Sequence, residues 1–389
     1  MRTLYTGIDI GTHHIKVIVA EAPERPDIPM HVLATATAMS KGMRHGYIVD
    51  QAEATRSIRE CVARASAAIK MPITKARIAI GGISLDEIRS TGDVSLTSSS
   101  GVVTARDIEH AQSESERRAS AKLVNRTILH TIPLEFRVDG TKTLGSPEGV
   151  QGAKLSIDTL LVTVLTQHYE DIISAVEASN IEVEDTMASP LAASLVTLTK
   201  SQKMAGVVLA NIGAETLSLM VFENNIPISL KTFPIGSGDV TNQIALSFQI
   251  PLSEAESIKR GGVIGSDVPQ SKMELIITNR LKEMFTLVNG HLRDIQRQRL
   301  LPAGIVITGG GSGLVRASDI ARTILRLPSQ VGQVGFVART VSIDATWAVA
   351  YGLCRWGYAS DMGRDSSSVL DVLRHAWETI RNGLKSLLP

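Results

Sequence analysis

Asp9, Gly11, Thr12 and Lys16 place a carboxylate, a freely turning backbone, a hydroxyl and a cation close together near the start of the chain. The Asp9-Ile10-Gly11-Thr12 segment lies between two apolar runs, residues 4–10 and 15–20, whose β-branched side chains favour strands. Gly11 lets the backbone turn and lets a ligand approach the amides closely. Exposed amides in such a strand–turn–strand unit can hold a phosphate without the helix of a P-loop. The same pattern also makes an ordinary hairpin, so its meaning depends on what recurs elsewhere.

It does recur. Residues 207–221 again read as strand, turn and strand, with Asn211-Ile212-Gly213-Ala214-Glu215-Thr216 at the turn. Further on, Ile305-Val306-Ile307-Thr308 is a buried-type strand running into Gly309-Gly310-Gly311-Ser312-Gly313, a cluster expected to open a helix. Free amides at a helix start favour anions and polar ligands. These three turns resemble the phosphate-1, phosphate-2 and adenosine motifs of the actin-like ATPase superfamily, in which two similar halves close around one nucleotide.

The elements that must position these turns are legible along the chain. The 389 residues, 43% of them hydrophobic, suffice for two or more cores. Forty basic against thirty-nine acidic residues give net +1, so nucleic acid is not expected as a partner. Aromatic content of 4% argues against a carbohydrate or single-strand stacking surface. Cys61 and Cys354 lie far apart in apolar helical patterns and read as buried free thiols of a reducing compartment. No charged leader with an apolar core is visible, and no apolar run reaches about 18 residues, so neither signal peptide nor spanning helix is expected.

In chain order, a third strand over 31–38 is followed by the connector 40–50. Asp50 then caps a helix to about Lys70, and Ile58, Val62, Ala65 and Ile69 mark its buried face. With the strand 77–80 this makes the core of a first half, expected at 1–83 and 159–200. An α+β insert occupies 84–158, with Thr104 and Asp107 in capping-box register and Pro133 marking an edge or bulge. A second half is expected at 201–235 and 301–358, with a smaller nucleotide-side subdomain at 236–300. There Gly236 starts a helix to Phe248, Ser253 caps another, and 272–299 is one long helix after a short polar connector at 263–271. The last core helix is expected over 345–358. A flexible linker, 359–368, leads to an amphipathic helix over 369–389. Leu370, Leu373, Trp377, Ile380, Leu384 and Leu387 line its apolar face, with basic residues on the flank, a pattern suited to a bilayer interface. The same helix could instead dock on its own protein.

Taken jointly, several features resemble FtsA, the actin-like cell-division family of bacteria. They are Asp9-Ile10-Gly11-Thr12, Ser40-Lys41-Gly42-Met43, the insert after the first helix, Ala255-Glu256-Ser257-Ile258-Lys259, Thr308-Gly309-Gly310-Gly311, and the linker with its amphipathic tail. The resemblance covers nearly the whole length. It implies an α/β fold of two similar halves, each a mixed five-stranded sheet with helices, plus the insert and the C-terminal amphipathic helix. It also implies ATP and Mg²⁺ as ligands, filaments by self-association, and FtsZ tethered to an anionic membrane surface. Other divisome proteins are implied partners, and the cytoplasmic face of the membrane at the division site is the implied location.

Residue by residue, the resemblance puts Asp9, Gly11, Thr12 and Lys16 at phosphate-1, with Asp9 toward the metal; His13 stands where the pattern has a smaller residue and could donate to phosphate or face solvent. It puts Gly213, Ala214 and Thr216 at phosphate-2, and Gly236 at the start of the helix beside the nucleotide. Glu256 and Lys259, which share a helix face, match an adenosine-contacting pair, and Gly309, Gly310 and Gly311 match the adenosine turn. For the FtsZ tail, the long helix offers Asn279, Arg280, Lys282 and Met284.

Two departures stand out. Asn211 replaces the acid that would orient hydrated Mg²⁺, and Ala214 and Glu215 replace glycines, with Glu215 able to repel phosphate if it points inward. The connector at 263–271 is shorter than the resemblance leads one to expect. ATP binding with weak or absent hydrolysis is therefore expected. The competing readings are a pilus-assembly actin-like protein, and a soluble ATPase or kinase of the same fold.

Overall fold

The computed structural model describes residues 3–23, 28–96, 101–262, 269–334 and 344–362. Alternating apolar residues build the opening hairpin, β1 (Leu4–Ile10) and β2 (His14–Glu21), and the third strand β3 (His31–Met39). The connector is not plain loop but carries a small hairpin, β4 (Met43–Arg44) and β5 (Tyr47–Ile48). Helix α1 (Gln51–Ile69) starts where Asp50 accepts the Glu53 amide at 2.9 Å and stops at Lys70, which is left-handed at φ 56°. It buries Ile58, Cys61, Val62 and Ala65 against the sheet, and β6 (Lys75–Ile80) follows.

The insert comes next: β7 (Asp86–Ser95), α2 (Ala105–Ala119), β8 (Arg126–Val138), β9 (Thr141–Lys142) and β10 (Lys154–Leu165). Its sheet runs β7-β10-β8-β9, wholly antiparallel, with α2 across β7 and β10. Thr104 and Asp107 close the capping box, and the register slips beside Pro133, where a missing N–H does least harm.

The chain then re-enters the first half through α3 (Thr166–Glu177), β11 (Glu182–Ala188) and α4 (Ser189–Thr197). A short helix, α5 (Lys200–Ala205), leads to β12 (Val207–Ile212), β13 (Leu217–Glu223) and β14 (Ile226–Phe233). Then come α6 (Ser237–Phe248), α7 (Leu252–Lys259), α8 (Gln270–Asp294), β15 (Ile305–Thr308), α9 (Ala317–Leu325), β16 (Ser329–Val331) and α10 (Ala348–Met362).

The two large sheets repeat one topology. The first has the order β11-β6-β1-β2-β3 and the second β14-β13-β12-β15-β16. Each pairs three strands antiparallel in chain order and adds two parallel ones by crossovers. This is the two-half actin-like architecture expected from the sequence. One apolar core fills the first half and continues across to Val207, Leu209, Met220, Phe222 and Val306 on one face of the second sheet, and a second core lies wholly within the second half. Although α10 is the last described element, it packs on the first half. A Cβ at Gly7 of β1 would lie 2.2 Å from the Ala350 carbonyl, and one at Gly352 would lie 2.0 Å from that of Ala192. Only glycine permits those two approaches.

Several expected boundaries move. Helix α10 runs to Met362, past the Tyr358 at which the sequence pattern ends it. Helix α7 begins at Leu252 with no side-chain cap, so Ser253 lies inside it rather than capping it. Helix α8 spans Gln270–Asp294 rather than 272–299, and most of the preceding connector lies outside the described residues. The triple-glycine cluster opens a single 3-10 turn, Gly310–Gly313, and α9 starts only at Ala317. The amphipathic tail, with Leu370, Leu373, Trp377, Ile380, Leu384 and Leu387, lies outside the described residues. Both cysteines are buried, with their thiols directed at backbone carbonyls, and burial pushes each up to about 12.

Candidate functional site

Two tight turns of the same construction sit at equivalent places in the two halves. Between β1 and β2 the ladder ends at Ile10 opposite Ile15, and the Gly11 amide closes the turn on the His14 carbonyl at 3.2 Å. Between β12 and β13 it ends at Ile212 opposite Leu217, and the Gly213 amide closes on the Thr216 carbonyl at 2.8 Å. A Cβ at Gly11 would lie 2.8 Å from the His14 carbonyl oxygen, so the turn needs its glycine. At the third turn Gly309 is left-handed, at φ 83°, and a Cβ there would lie 2.4 Å from Asn211 Oδ1. Parallel pairing of β12 and β15 puts Asn211 opposite Thr308, so the second and third turns are neighbours.

These turns keep their amides open. Among the described residues, the N–H groups of Thr12, His13, Ala214, Glu215, Thr216, Gly310 and Gly311 have no protein acceptor. Among the described residues, and apart from its own chain neighbours, nothing lies within 4 Å of where a Gly310 Cβ would stand. Unpaired backbone donors grouped at glycine turns form an anion-binding concavity, and a phosphate-bearing ligand fits them. The start of α6 contributes differently. Its Ser237 and Gly238 amides are already taken by the Gly213 and Ala214 carbonyls at 2.9 and 2.7 Å, and Asp239 accepts the Gly236 amide at 2.8 Å. A Cβ at Gly236 would lie 2.4 Å from the Ala214 carbonyl oxygen. Gly236 therefore holds the second turn in place, and the amides of this helix start are not open donors.

The charged groups assemble around the turns. Asp9 and Lys16 are cross-strand partners. Burial raises the Asp9 carboxyl and the Lys16 charge opposes that shift; burial likewise lowers Lys16 while Asp9 opposes it. Lys16 also donates to the Thr346 carbonyl and lies 5.8 Å from the Trp347 ring, which ties the first turn to the start of α10. His13 and His14 meet edge to face at 4.4 Å. Burial lowers both, His14 to about 4, and Glu256 and Arg260 act on both rings. Both rings are partly buried.

Glu256 and Lys259 on α7 pair at 2.6 Å. Thr241 of α6 donates to Glu256 at 2.6 Å, while Lys259 donates to Thr241 at 2.8 Å and to the Ser237 carbonyl at 3.1 Å. Burial works to raise Glu256, but Lys259, Thr241 and Arg260 outweigh it and hold the carboxyl at about 2. The pair thus pins α7 to the helix behind the second turn.

The sequence reading missed a link across the halves. His45 of the connector donates its amide to the Glu215 carboxylate, and its ring Nδ1 lies 3.3 Å from the Glu215 carbonyl oxygen. The next amide, of Gly46, donates to Thr12 Oγ1 at 3.2 Å. Both His45 and Gly46 have positive φ, so the glycines at 42 and 46 were the available signal for a shaped connector. On α8, Asn279 and Lys282 are exposed, and Arg280 is held by Glu283 at 2.7 Å and Gln243 at 2.9 Å. Met284 is fully buried in the second core and offers no partner surface. Its position on the inner stripe of the helix is the reason. Among the described residues no three His, Cys, Asp or Glu side chains cluster as a metal cage, and none of the helices there is long and apolar enough to cross a membrane.

Comparisons with known proteins match this arrangement. The family described as "Cell division protein FtsA" matches residues 208–352, and the "SHS2 domain inserted in FTSA" matches residues 82–163, which is the insert. Proteins named cell division protein FtsA are similar along most of the chain. The one from Pseudomonas aeruginosa is 28% identical, covering 85% of this chain and 82% of its own length. That from Borreliella burgdorferi is 26% identical, with 85% and 84% covered. That from Escherichia coli K12 is 24% identical, with 94% and 93% covered. Among solved structures, the PilM-PilN type IV pilus biogenesis complex has a chain with a TM-score of 0.68 at 18% identity, covering 91% of this chain and 98% of that one. MreB5 of Spiroplasma citri bound to ADP gives 0.52 at 11% identity, covering 90% and 94%. The structural likenesses establish the actin-like fold, and the two family matches between them take in more than half of the chain. With its two repeated halves and the inserted domain in place, the chain belongs to the FtsA family of cell-division proteins.

Proposed function

We propose that this protein is an actin-like scaffold of cell division that binds ATP between its halves. It self-assembles into filaments and tethers the FtsZ C-terminal tail to the cytoplasmic face of the membrane at the division site, where it recruits further divisome proteins. The observation that carries the reading is the convergence of open amides at two equivalent turns, one from each half, with the Gly309–Gly311 turn beside them. The first two suit the phosphate chain and the third the nucleoside. MreB5, a structural neighbour of this fold, has been solved with ADP and with AMPPNP.

By the phosphate-1 resemblance Asp9 would orient hydrated Mg²⁺, which keeps most of its waters and needs few protein ligands. Asn211, a neutral amide packed against Gly309, supplies no second carboxylate, so slow or absent hydrolysis fits this site better than rapid turnover. That favours a scaffold over a soluble ATPase or kinase.

Membrane attachment falls to residues 369–389. The apolar face contributes roughly 25 cal/mol per Å² of buried area, and each basic residue near anionic lipid adds about 1 kcal/mol. Ordering the tail consumes much of that gain, so single copies bind weakly and filaments bind tightly by avidity. The test is flotation of the full chain with anionic liposomes, ATP and the FtsZ C-terminal peptide. Protein and peptide should float together, and Trp377→Glu should abolish flotation of both. Equal flotation of the Trp377→Glu variant would refute the tail as the anchor.

A further inference from the structure

The Glu215 carboxylate projects from the second turn onto the connector that also reaches the first turn. It accepts the His45 amide, while the adjacent Gly46 amide goes to Thr12 Oγ1 at 3.2 Å. Two successive amides of one connector are thus spent on the two turns, one on a hydroxyl and one on a carboxylate. The His45 ring adds a second tie, with Nδ1 at 3.3 Å from the Glu215 carbonyl oxygen and 3.8 Å from Oε2. The Glu215 side chain is about one third exposed, at 36%, so it faces a space that solvent or a ligand can enter.

A carboxylate offers two anionic oxygens to backbone donors, as a terminal phosphoryl group does, and charge-assisted bonds of this kind are the strong ones. Resting on the nucleotide reading above, we propose that Glu215 is an internal stand-in for the terminal phosphate. The cleft then takes a nucleoside diphosphate in preference to a triphosphate. A diphosphate would use the open amides at residues 12–13 and 214–216 and leave the Glu215–His45 bond intact. A triphosphate would have to bring a further negative group up to the carboxylate or expel it from the His45 amide. Repulsion between like charges brought close together disfavours the first route, and loss of a charge-assisted bond disfavours the second. Glu215 is therefore a specificity-determining residue and takes no part in chemistry.

Gly236 and Gly238 hold the backbone on which this carboxylate is mounted. A Cβ at either would lie within 2.8 Å of the Ala214 carbonyl oxygen. The backbone of the turn is thus fixed from behind, and Glu215 can move only through its own side-chain torsions.

The experiment is calorimetric titration of the full chain with ADP and, separately, with ATP, in the same Mg²⁺ buffer. Thermal melting under each nucleotide gives a second readout. The wild type should bind ADP at least tenfold more tightly than ATP. Glu215→Gln, which keeps the shape and removes the charge, should narrow that ratio to about threefold or less through tighter ATP binding. Glu254→Gln, an exposed carboxylate on α7, should leave the ratio unchanged and so control for net charge. If ATP and ADP bind the wild type equally and Glu215→Gln changes neither, the stand-in is refuted while nucleotide binding survives. If no nucleotide binds either protein, the nucleotide reading itself fails and takes this inference with it.

Discussion

Asn211 and Gly309 meet where the second and third turns of the cleft come together. Asn211 lies opposite Thr308 in the parallel ladder, and a Cβ at Gly309 would stand 2.4 Å from Asn211 Oδ1 and 2.5 Å from the Ile212 carbonyl oxygen. The residue that departs from the acidic phosphate-2 pattern thus packs against the glycine that begins the adenosine turn.

Gly309→Ala should therefore destabilise the second half by about 1–3 kcal/mol, since it adds strain at φ 83° to a contact that cannot form. Gly310→Ala, with open space at its Cβ, should cost under about 1 kcal/mol. Chemical denaturation of the two variants side by side checks the contrast. Equal losses would mean that the turn tolerates a side chain at 309.

Acid should weaken the fold through its buried histidines. His130 accepts the Ala188 amide at 3.1 Å, and burial pushes it down to about 3. The unfolded chain takes up that proton near pH 6.5 and the folded chain does not. The contribution is thus fully present above pH 6.5 and is lost as pH falls from there toward 3, by up to about 1.4 kcal/mol per pH unit. His130→Gln should flatten the melting temperature between pH 6.5 and 4.5, while lowering it at neutral pH. An unchanged slope would assign the acid sensitivity to other groups.

The long helix α8 divides sharply between core and surface. Met284→Ala should cost about 2–5 kcal/mol, because the side chain is fully buried in the second core. Lys282→Glu, on the exposed face, should leave stability within about 0.5 kcal/mol. It should, however, weaken capture of an acidic FtsZ tail peptide if this face is the partner surface. Paired denaturation and peptide-binding curves separate the two effects.

What the sequence made legible was periodicity and turn chemistry. The alternation of β1, β2 and β3, the repeat at β12, β13 and β14, and the three glycine turns carried the resemblance that implied the two-half fold. The Asp50 and Thr104 caps followed from local hydrogen bonding alone. Long-range pairing was not legible. Nothing in the pattern announced that His45 would reach Glu215, 170 positions away, or that α10 would return to pack on Gly7 of β1. The same limit applies to Met284. Its side chain reads equally well as surface anchor or core until the helix is rotated into place, and packing then puts it inside. The helix at Gly236 is a related case. A glycine before a helix looks like an anion site, but here its amides are consumed by the second turn.

The central claim is that the two halves hold one nucleotide between their glycine turns. Calorimetric titration of the full chain with ADP and with ATP, beside Gly310→Val, is the direct test. Among the described residues, position 310 has no atom beyond its chain neighbours within 4 Å of its Cβ, so the substitution should leave the melting temperature nearly unchanged and obstruct only a ligand. One site per chain is expected in the wild type, with at least a tenfold loss of affinity in Gly310→Val. Absence of binding by the wild type, or equal affinity in the two proteins, would contradict it.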